Sequence, residues 1–108
     1  MKSSKEMLQE LLDKVEVGKF DRWSTAGLPF TGPQKSFITR AYNGSLDAAK
    51  ALHEAVLPNY GYQVWQDDGS ALVDVWDSEG ISFVGGNLSA SRAWLIAILR
   101  ALIAQKEC

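Results

Sequence analysis

The fold is decided by residues 62–84, which read YQVWQDDGSALVDVWDSEGISFV. Apolar and polar side chains alternate along three short runs, a pattern typical of β-strands that bury one face. We therefore expect strands at residues 62–66, 71–76 and 81–84. Since the runs are separated by only a few residues, neighbouring strands must be antiparallel.

Two turn sequences set the register of these strands. Residues 68–69, Asp-Gly, are a strong signal for a two-residue type I′ turn. Residues 78–80, Ser-Glu-Gly, suit a three-residue loop with its glycine in the left-handed conformation, although a four-residue loop would flip the third strand. With the shorter loop, the predicted pairs are Trp65 with Leu72, Val64 with Val73, Tyr62 with Val75, Asp77 with Ile81, and Val75 with Phe83.

This register divides the sheet into two faces. One face is apolar and is predicted to lie on the core; it carries Tyr62, Val64, Val73, Val75, Ile81 and Phe83. The other face is mixed and has two tryptophans; it carries Gln63, Trp65, Leu72, Asp74, Trp76, Ser82 and Val84. Within it, Asp74 lies in the middle of a strand between apolar neighbours, so its carboxylate needs a partner if it is covered.

Three helices are predicted around the sheet. Residues 4–17 place apolar side chains at helical spacing, and residues 45–57 begin at a capping serine, Ser45, and end before Pro58. Residues 90–105 are apolar on every side over most of their length, so this last helix must be buried on more than one side.

Residues 18–44 give the weakest pattern. Glycine and proline interrupt every period there, yet the segment is too rich in aromatic residues for a solvated linker. We expect a long ordered loop packed on the core, with a short strand at 36–41 as an option. The predicted fold class is α+β, an αβα-type sandwich in the order α-(loop)-α-β-β-β-α within a single domain of residues 1–108.

Composition excludes several classes of function. The net charge is −2 and the basic residues are scattered, which argues against nucleic acid as a partner. The longest apolar stretch, residues 93–104, is interrupted by Arg100 and is too short to span a membrane, and no signal peptide is visible. The single cysteine, Cys108, fits a reducing compartment. We expect a soluble protein of the cytoplasm.

No residue pattern indicates catalysis, a metal or a cofactor. His53 is the only histidine and lacks a paired carboxylate or nucleophile, so a structural role is favoured. The acidic residues between 67 and 79 lack the spacing of a calcium loop and are ordinary turn residues. Residues 85–87, Gly-Gly-Asn, lack the lysine of a phosphate-binding loop and are interpreted as a flexible turn between strand and helix.

The two sheet tryptophans, Trp65 and Trp76, leave three interpretations open: a ligand-stacking surface, a partner interface, or a second core beneath the last helix. The second core is favoured because that helix must bury Trp94. The candidate interaction surface is Trp65, Leu72, Trp76 and Trp94. A homodimer through the last helix or the tryptophan-bearing face is also expected, unless the aromatic residues of 20–38 cover the same surface and leave a monomer.

Two segments carry a family resemblance. Residues 41–49, Ala-Tyr-Asn-Gly-Ser-Leu-Asp-Ala-Ala, precede the tryptophan-containing strands, and residues 93–101, Ala-Trp-Leu-Ile-Ala-Ile-Leu-Arg-Ala, lie in the last helix. Together they resemble the phage ABA sandwich domain family. The resemblance implies an αβα sandwich encoded by a phage or prophage, and it supplies no catalytic residues.

Two functions follow as hypotheses. The first is a non-enzymatic accessory protein that interacts with a host or phage protein. The alternative is a small-ligand or nucleotide-binding module that uses Trp65, Trp76 and the glycines at 85–86, with Arg92 near the phosphate.

Overall fold

The computed structural model describes residues 3–21 and 23–106. Within these residues it confirms the α+β class, with a three-stranded antiparallel sheet and the helices predicted at 4–17, 45–57 and 90–105. The helices are α1 (Ser4–Val17), α2 (Gly32–Tyr42), α3 (Leu46–Val56) and α4 (Ala90–Lys106); the strands are β1 (Gly61–Asp67), β2 (Ser70–Trp76) and β3 (Ser82–Asn87).

Helix α2 replaces part of the predicted loop at 18–44, and the strand option at 36–41 is wrong. A capping box starts this helix: the backbone N–H of Gln34 donates to Thr31 Oγ1 at 3.2 Å, and the backbone N–H of Thr31 donates to Gln34 Oε1 at 3.1 Å. Pro33 lies in the first turn, where the helix requires no backbone donor. The apparent helix breakers of this segment therefore mark a helix start.

The sheet has the predicted register, with β2 between β1 and β3. The pairs include Trp65 with Leu72, Tyr62 with Val75, and Val75 with Phe83. The first turn is not type I′, which needs a positive φ at both central residues, because only Gly69 has one. The second turn is the predicted three-residue loop, in which the N–H of Asp77 donates to the carbonyl of Ile81 at 3.0 Å.

Helix α4 forms the middle layer of the molecule. One side packs on the sheet face that carries Val73 and Val75, and the other side packs on α1, α2 and α3. This confirms that a helix apolar on all sides is buried on more than one side. The contact with the sheet is close at Gly85, where a Cβ atom would clash with the carbonyl oxygen of Ala93 and lie 2.7 Å from the nitrogen of Ala97.

The opposite face of the sheet is left open. The layers therefore run from the sheet to α4 to the other three helices, and the sheet is an outer layer instead of the centre of a helix–sheet–helix sandwich. The prediction that Trp65 and Trp76 form a second core beneath the last helix is wrong, because α4 packs on the other face. The apolar surface of α4 is already covered within one copy, so this helix offers little apolar surface to the predicted dimer.

The predicted core face is correct at its centre and incomplete at its margins. Val73 and Val75 are fully buried, and Val64 and Phe83 are partly buried. Tyr62 and Ile81, the remaining two members, are exposed over about two fifths and one half of their surface. No helix within residues 3–21 and 23–106 has the length and apolar character needed to cross a bilayer.

Candidate interaction surface

The open face is the side of the sheet that no helix covers, and it consists of three cross-strand rows. The row nearest the first turn holds Trp65, Leu72 and Gly86; the middle row holds Gln63, Asp74 and Val84; the last row holds Gly61, Trp76 and Ser82. Residues two apart on a strand point to the same side, so the turn register alone places these side chains together.

Three apolar side chains of the open face are exposed to solvent. Trp65 is 47% exposed, Leu72 is 52% exposed and Val84 is 44% exposed. Trp65 and Leu72 are direct cross-strand partners, and Gly86 opposite Leu72 gives the leucine room, since a Cβ there would lie 3.2 Å from Leu72 Cδ2. Trp65, Leu72 and Val84 thus form an exposed apolar patch. The predicted surface contained Trp65 and Leu72 of this patch and omitted Val84.

Trp76, the second predicted tryptophan, lies at the other end of the open face. Its indole occupies the space of a Cβ atom on Gly61, its cross-strand partner. An aromatic ring that covers a glycine of an edge strand shields the backbone there. Trp76 is therefore half-buried within one copy and contributes less free surface than Trp65.

Asp74 lies in the centre of the open face, opposite Gln63 on one side and Val84 on the other. Its Oδ1 atom is shielded from solvent and has no hydrogen-bond partner among the described residues. An unpartnered buried acceptor costs about 1–3 kcal/mol of stability. The partner that the sequence required for a covered Asp74 is absent from the described part of this chain.

Trp94 does not belong to this surface, and its inclusion in the predicted set is wrong. It is 4% exposed, and its indole N–H donates to His53 Nδ1 at 3.2 Å. The other ring nitrogen of His53, Nε2, lies 3.0 Å from the carbonyl oxygen of Tyr60. Because a carbonyl only accepts and an indole N–H only donates, His53 carries its hydrogen on Nε2.

His53 has the structural role that the sequence favoured. It is 2% exposed, and its ring contacts Tyr62 with a centroid distance of 5.0 Å. Both ring nitrogens are used within the chain, which leaves neither for a metal or for proton transfer. The histidine joins α3 to β1 and α4.

Two of the acidic residues of 67–79, Asp67 and Asp77, accept backbone hydrogen bonds in the turns. Asp77 Oδ1 accepts the N–H groups of Glu79 at 2.9 Å and Ile81 at 3.0 Å, and Asp67 Oδ1 accepts the N–H of Asp68 at 2.8 Å. Among residues 3–21 and 23–106, no three histidine, cysteine, aspartate or glutamate residues group to hold a metal ion. Cys108 lies outside the described residues.

The glycines at 85–86 lie within β3, so their interpretation as a flexible turn is wrong. Gly85 faces α4 at close range and cannot line a phosphate site. Arg92 is held on the helical side: its Nε donates to the carbonyl of Tyr42 at 2.6 Å, and its guanidinium carbon lies 3.9 Å from the centroid of the Tyr42 ring. Gly86 and Arg92 both line a groove of about 640 Å³ at the end of the sheet, but neither Trp65 nor Trp76 does.

Fold and surface together define the class: an α+β protein with helices on one face of a three-stranded sheet and an apolar patch on the other. Comparisons of the chain with protein-family models, curated proteins and solved structures find no match.

Proposed function

We propose that this chain is a non-enzymatic protein-interaction module whose contact surface is the open face. The observation that carries the proposal is the adjacent exposure of Trp65, Leu72 and Val84 on one face of the sheet. Tryptophan is enriched among the residues that dominate binding energy at protein interfaces. Each Å² of apolar surface removed from water contributes about 25 cal/mol.

The shape of the surface favours a protein as the ligand. Sites for small molecules are concave and enclose most of the ligand. Trp65 and Val84 of the open face lie outside the groove that Leu72 and Gly86 line at the end of the sheet.

The origin and partner are proposed from the resemblance over 41–49 and 93–101. On that basis the chain is a phage- or prophage-encoded accessory protein that acts in the cytoplasm of a bacterial host. Its partner is a host or phage protein with a complementary apolar surface.

The alternative, a module for a small anionic ligand, is supported by the groove at the end of the sheet, which Gly86 and Arg92 line. The geometry favours it less, because Arg92 already donates from Nε to Tyr42 and stacks on its ring. A thermal-shift screen against nucleotides tests this alternative: a shift that Arg92→Met removes and Trp65→Thr retains places a ligand in the groove.

The main proposal is tested by affinity capture from a bacterial lysate, with bound proteins identified by mass spectrometry. Trp65→Thr and Leu72→Thr remove apolar surface from the open face while keeping a residue that favours strands. The matched control is Leu46→Thr, at a leucine of α3 that is 42% exposed. We expect a captured protein to be lost from both open-face variants and retained by the control. Equal capture by all three variants would contradict the proposal.

A further inference from the structure

The outer strands of the sheet, β1 and β3, each have backbone groups that point away from β2. Asp67 and Ser70 flank the two-residue turn, so they form a hydrogen-bonded pair, and such pairs alternate along an antiparallel ladder. Consequently Tyr62, Val64 and Gln66 direct their backbone N–H and C=O groups outward. The same alternation on the other side of β2 directs the backbone of Val84 outward.

The outer edge of β1 lacks the usual protection against pairing. Natural edge strands carry lysine, proline or a bulge, or are covered by another segment. β1 extends over seven residues in an unbroken register, and residues 61–66 include no charge and no proline. The backbone groups of Tyr62, Val64 and Gln66 make no hydrogen bond outside the sheet among residues 3–21 and 23–106.

The edge of β3 is protected. Arg100 of α4 donates from Nη1 to the outward carbonyl of Val84 at 2.5 Å. The same guanidinium lies 3.6 Å from the carboxylate of Glu16, which holds it in place. A cation across the outer carbonyl hinders an incoming strand at β3, so the two edges differ in what they can accept.

We infer that β1 pairs with β1 of a second copy of this chain, antiparallel, about a two-fold axis at Val64. In this register Val64 faces its own copy, and Tyr62 faces Gln66 of the second copy. Every outward-facing residue of β1 then meets another outward-facing residue, which gives about six backbone hydrogen bonds. The strands of both copies form one continuous sheet.

The charges and side chains of β1 suit this register. Asp67 is the single charged residue of the strand, and antiparallel pairing separates the two copies of it to opposite ends of the ladder. Trp65 lies opposite Gln63 of the second copy, and the two Trp65 residues become diagonal neighbours about 7–8 Å apart, within reach of their indoles. The pairing thus places the exposed Trp65 rings at the junction between the copies.

The contact between the two β1 strands is small, which favours a weak dimer. Seven residues at about 3.3 Å each give a contact roughly 20 Å long. A strand pair of this length with its flanking side chains falls at or below the low end of specific interfaces, about 1,200 Å². The dimer is therefore weak, with a dissociation constant in the range of about 1–100 µM.

Sedimentation velocity across a dilution series, from about 1 µM to 1 mM, is the direct test of this affinity range. We expect the mass to rise from the monomer value of 11.9 kDa towards twice that value. A mass of 11.9 kDa at every concentration would overturn the inference.

Two proline variants locate the contact. Gln66→Pro and Ser82→Pro each remove one outward-facing N–H at an exposed position, the first on β1 and the second on β3, and proline is tolerated at such edge positions. We expect Gln66→Pro to weaken association at least about tenfold and Ser82→Pro to leave it unchanged. Wild-type association by Gln66→Pro would overturn the assignment to β1.

A cysteine pair tests the register without proline. In a Cys108→Ser background, Val64→Cys places two thiols opposite each other at a Cα separation of about 5.5 Å, within the range of a disulfide. Gln63→Cys, one residue away, faces Trp65 of the second copy and is the matched control. We expect disulfide-linked dimers from Val64→Cys at much higher yield; the reverse order of yields would overturn the register.

This inference uses the edge of the sheet and does not depend on the open face binding another protein. Leu72→Thr separates the two proposals, because Leu72 belongs to the open face and lies one strand away from the junction. Self-association that persists in Leu72→Thr supports the β1 contact. Self-association lost in Leu72→Thr means that two open faces meet, which overturns the edge contact, whereas failure to capture another protein leaves the dimer unaffected.

Discussion

Leu72 and Val73 are neighbours on β2, yet half of Leu72 is exposed while Val73 is fully buried. Gly85 and Gly86 are neighbours on β3, and they differ in the same way. A Cβ atom on Gly85 would clash with the backbone of α4, whereas a Cβ atom on Gly86 would lie 3.2 Å from the side chain of Leu72 and 3.9 Å from the carbonyl oxygen of Ala71. The two faces of the sheet are therefore assembled from alternate residues of the same strands, and only one is covered.

We call the sheet face on which α4 packs the covered face. The covered face and the open face differ less in composition than in what lies over them. A sheet face that meets only water normally carries polar residues. Here the open face retains Trp65, Leu72 and Val84, and helix α4, which packs along the sheet, lies on the other side. The proposed binding of another protein would explain why these apolar residues stay exposed, and the following substitutions compare the two faces by changing one face at a time.

The largest difference is expected between Gly85→Ala and Gly86→Ala. A methyl group at Gly85 clashes with the backbone of α4, which cannot retreat without separating the helix from the sheet, so we expect a loss of about 4 kcal/mol. At Gly86 the tight contact of the methyl group is with the flexible Leu72 side chain, and the carbonyl oxygen of Ala71 lies at ordinary contact distance, so the expected loss is below about 0.5 kcal/mol. Urea unfolding of both variants gives the two values; similar losses would remove the distinction between the faces.

His53→Leu tests the hydrogen bonds of the buried histidine that joins α3 to β1 and α4. The substitution leaves the indole N–H of Trp94 and the carbonyl of Tyr60 without partners in a buried site, and we expect a loss of about 3 kcal/mol. Trp94→Phe removes the indole donor. If the hydrogen bond exists, Trp94→Phe must therefore lower the free energy of unfolding less in the His53→Leu variant than in the wild-type protein. Additive losses in this double-mutant cycle would contradict the hydrogen bond.

Val73→Ala and Leu72→Ala compare the faces with ordinary side chains. Val73 is completely enclosed, and truncating it removes core contacts and leaves a small cavity, at a cost of about 2 kcal/mol. Leu72→Ala deletes more atoms, yet we expect a loss below about 1 kcal/mol, because half of the leucine is already in water. Thermal unfolding monitored by circular dichroism decides the order; a larger loss for Leu72→Ala would mean that the open face is part of the monomer core.

Much of the sheet followed from the sequence because short turns permit few registers. Residues 68–69 and 78–80 determine which side chains share a face, and the structure has those pairs. Helix α2 was missed because Gly32 and Pro33 suggest a loop. The signal that identifies it is the spacing of Thr31 and Gln34, the capping box that permits proline just inside a helix start.

The choice of face for α4 was harder to predict. Both sheet faces contain apolar residues, and α4 is apolar on all sides, so periodicity does not select between them. The deciding feature is steric: Gly85 lies opposite Ala93 and Ala97, and these small residues allow the helix backbone to approach the strand. The candidate surface was consequently correct for Trp65 and Leu72, whereas Trp94 went to the core with the helix.

The smallest expected effect is a gain in stability, from Asp74→Val on the open face. Asp74 Oδ1 is shielded and unpartnered, so replacing the carboxylate with an apolar, strand-favouring side chain removes a desolvation cost. We expect the free energy of unfolding to rise by about 1 kcal/mol, measured by urea denaturation. Asp74→Asn is the control, since it retains a shielded polar atom at the same position and should gain less.

A destabilised Asp74→Val variant would show that the carboxylate already has a partner in the isolated protein. If the open face binds a protein as proposed, a stabilised Asp74→Val variant that no longer binds this protein would show that the carboxylate serves recognition at a cost in stability.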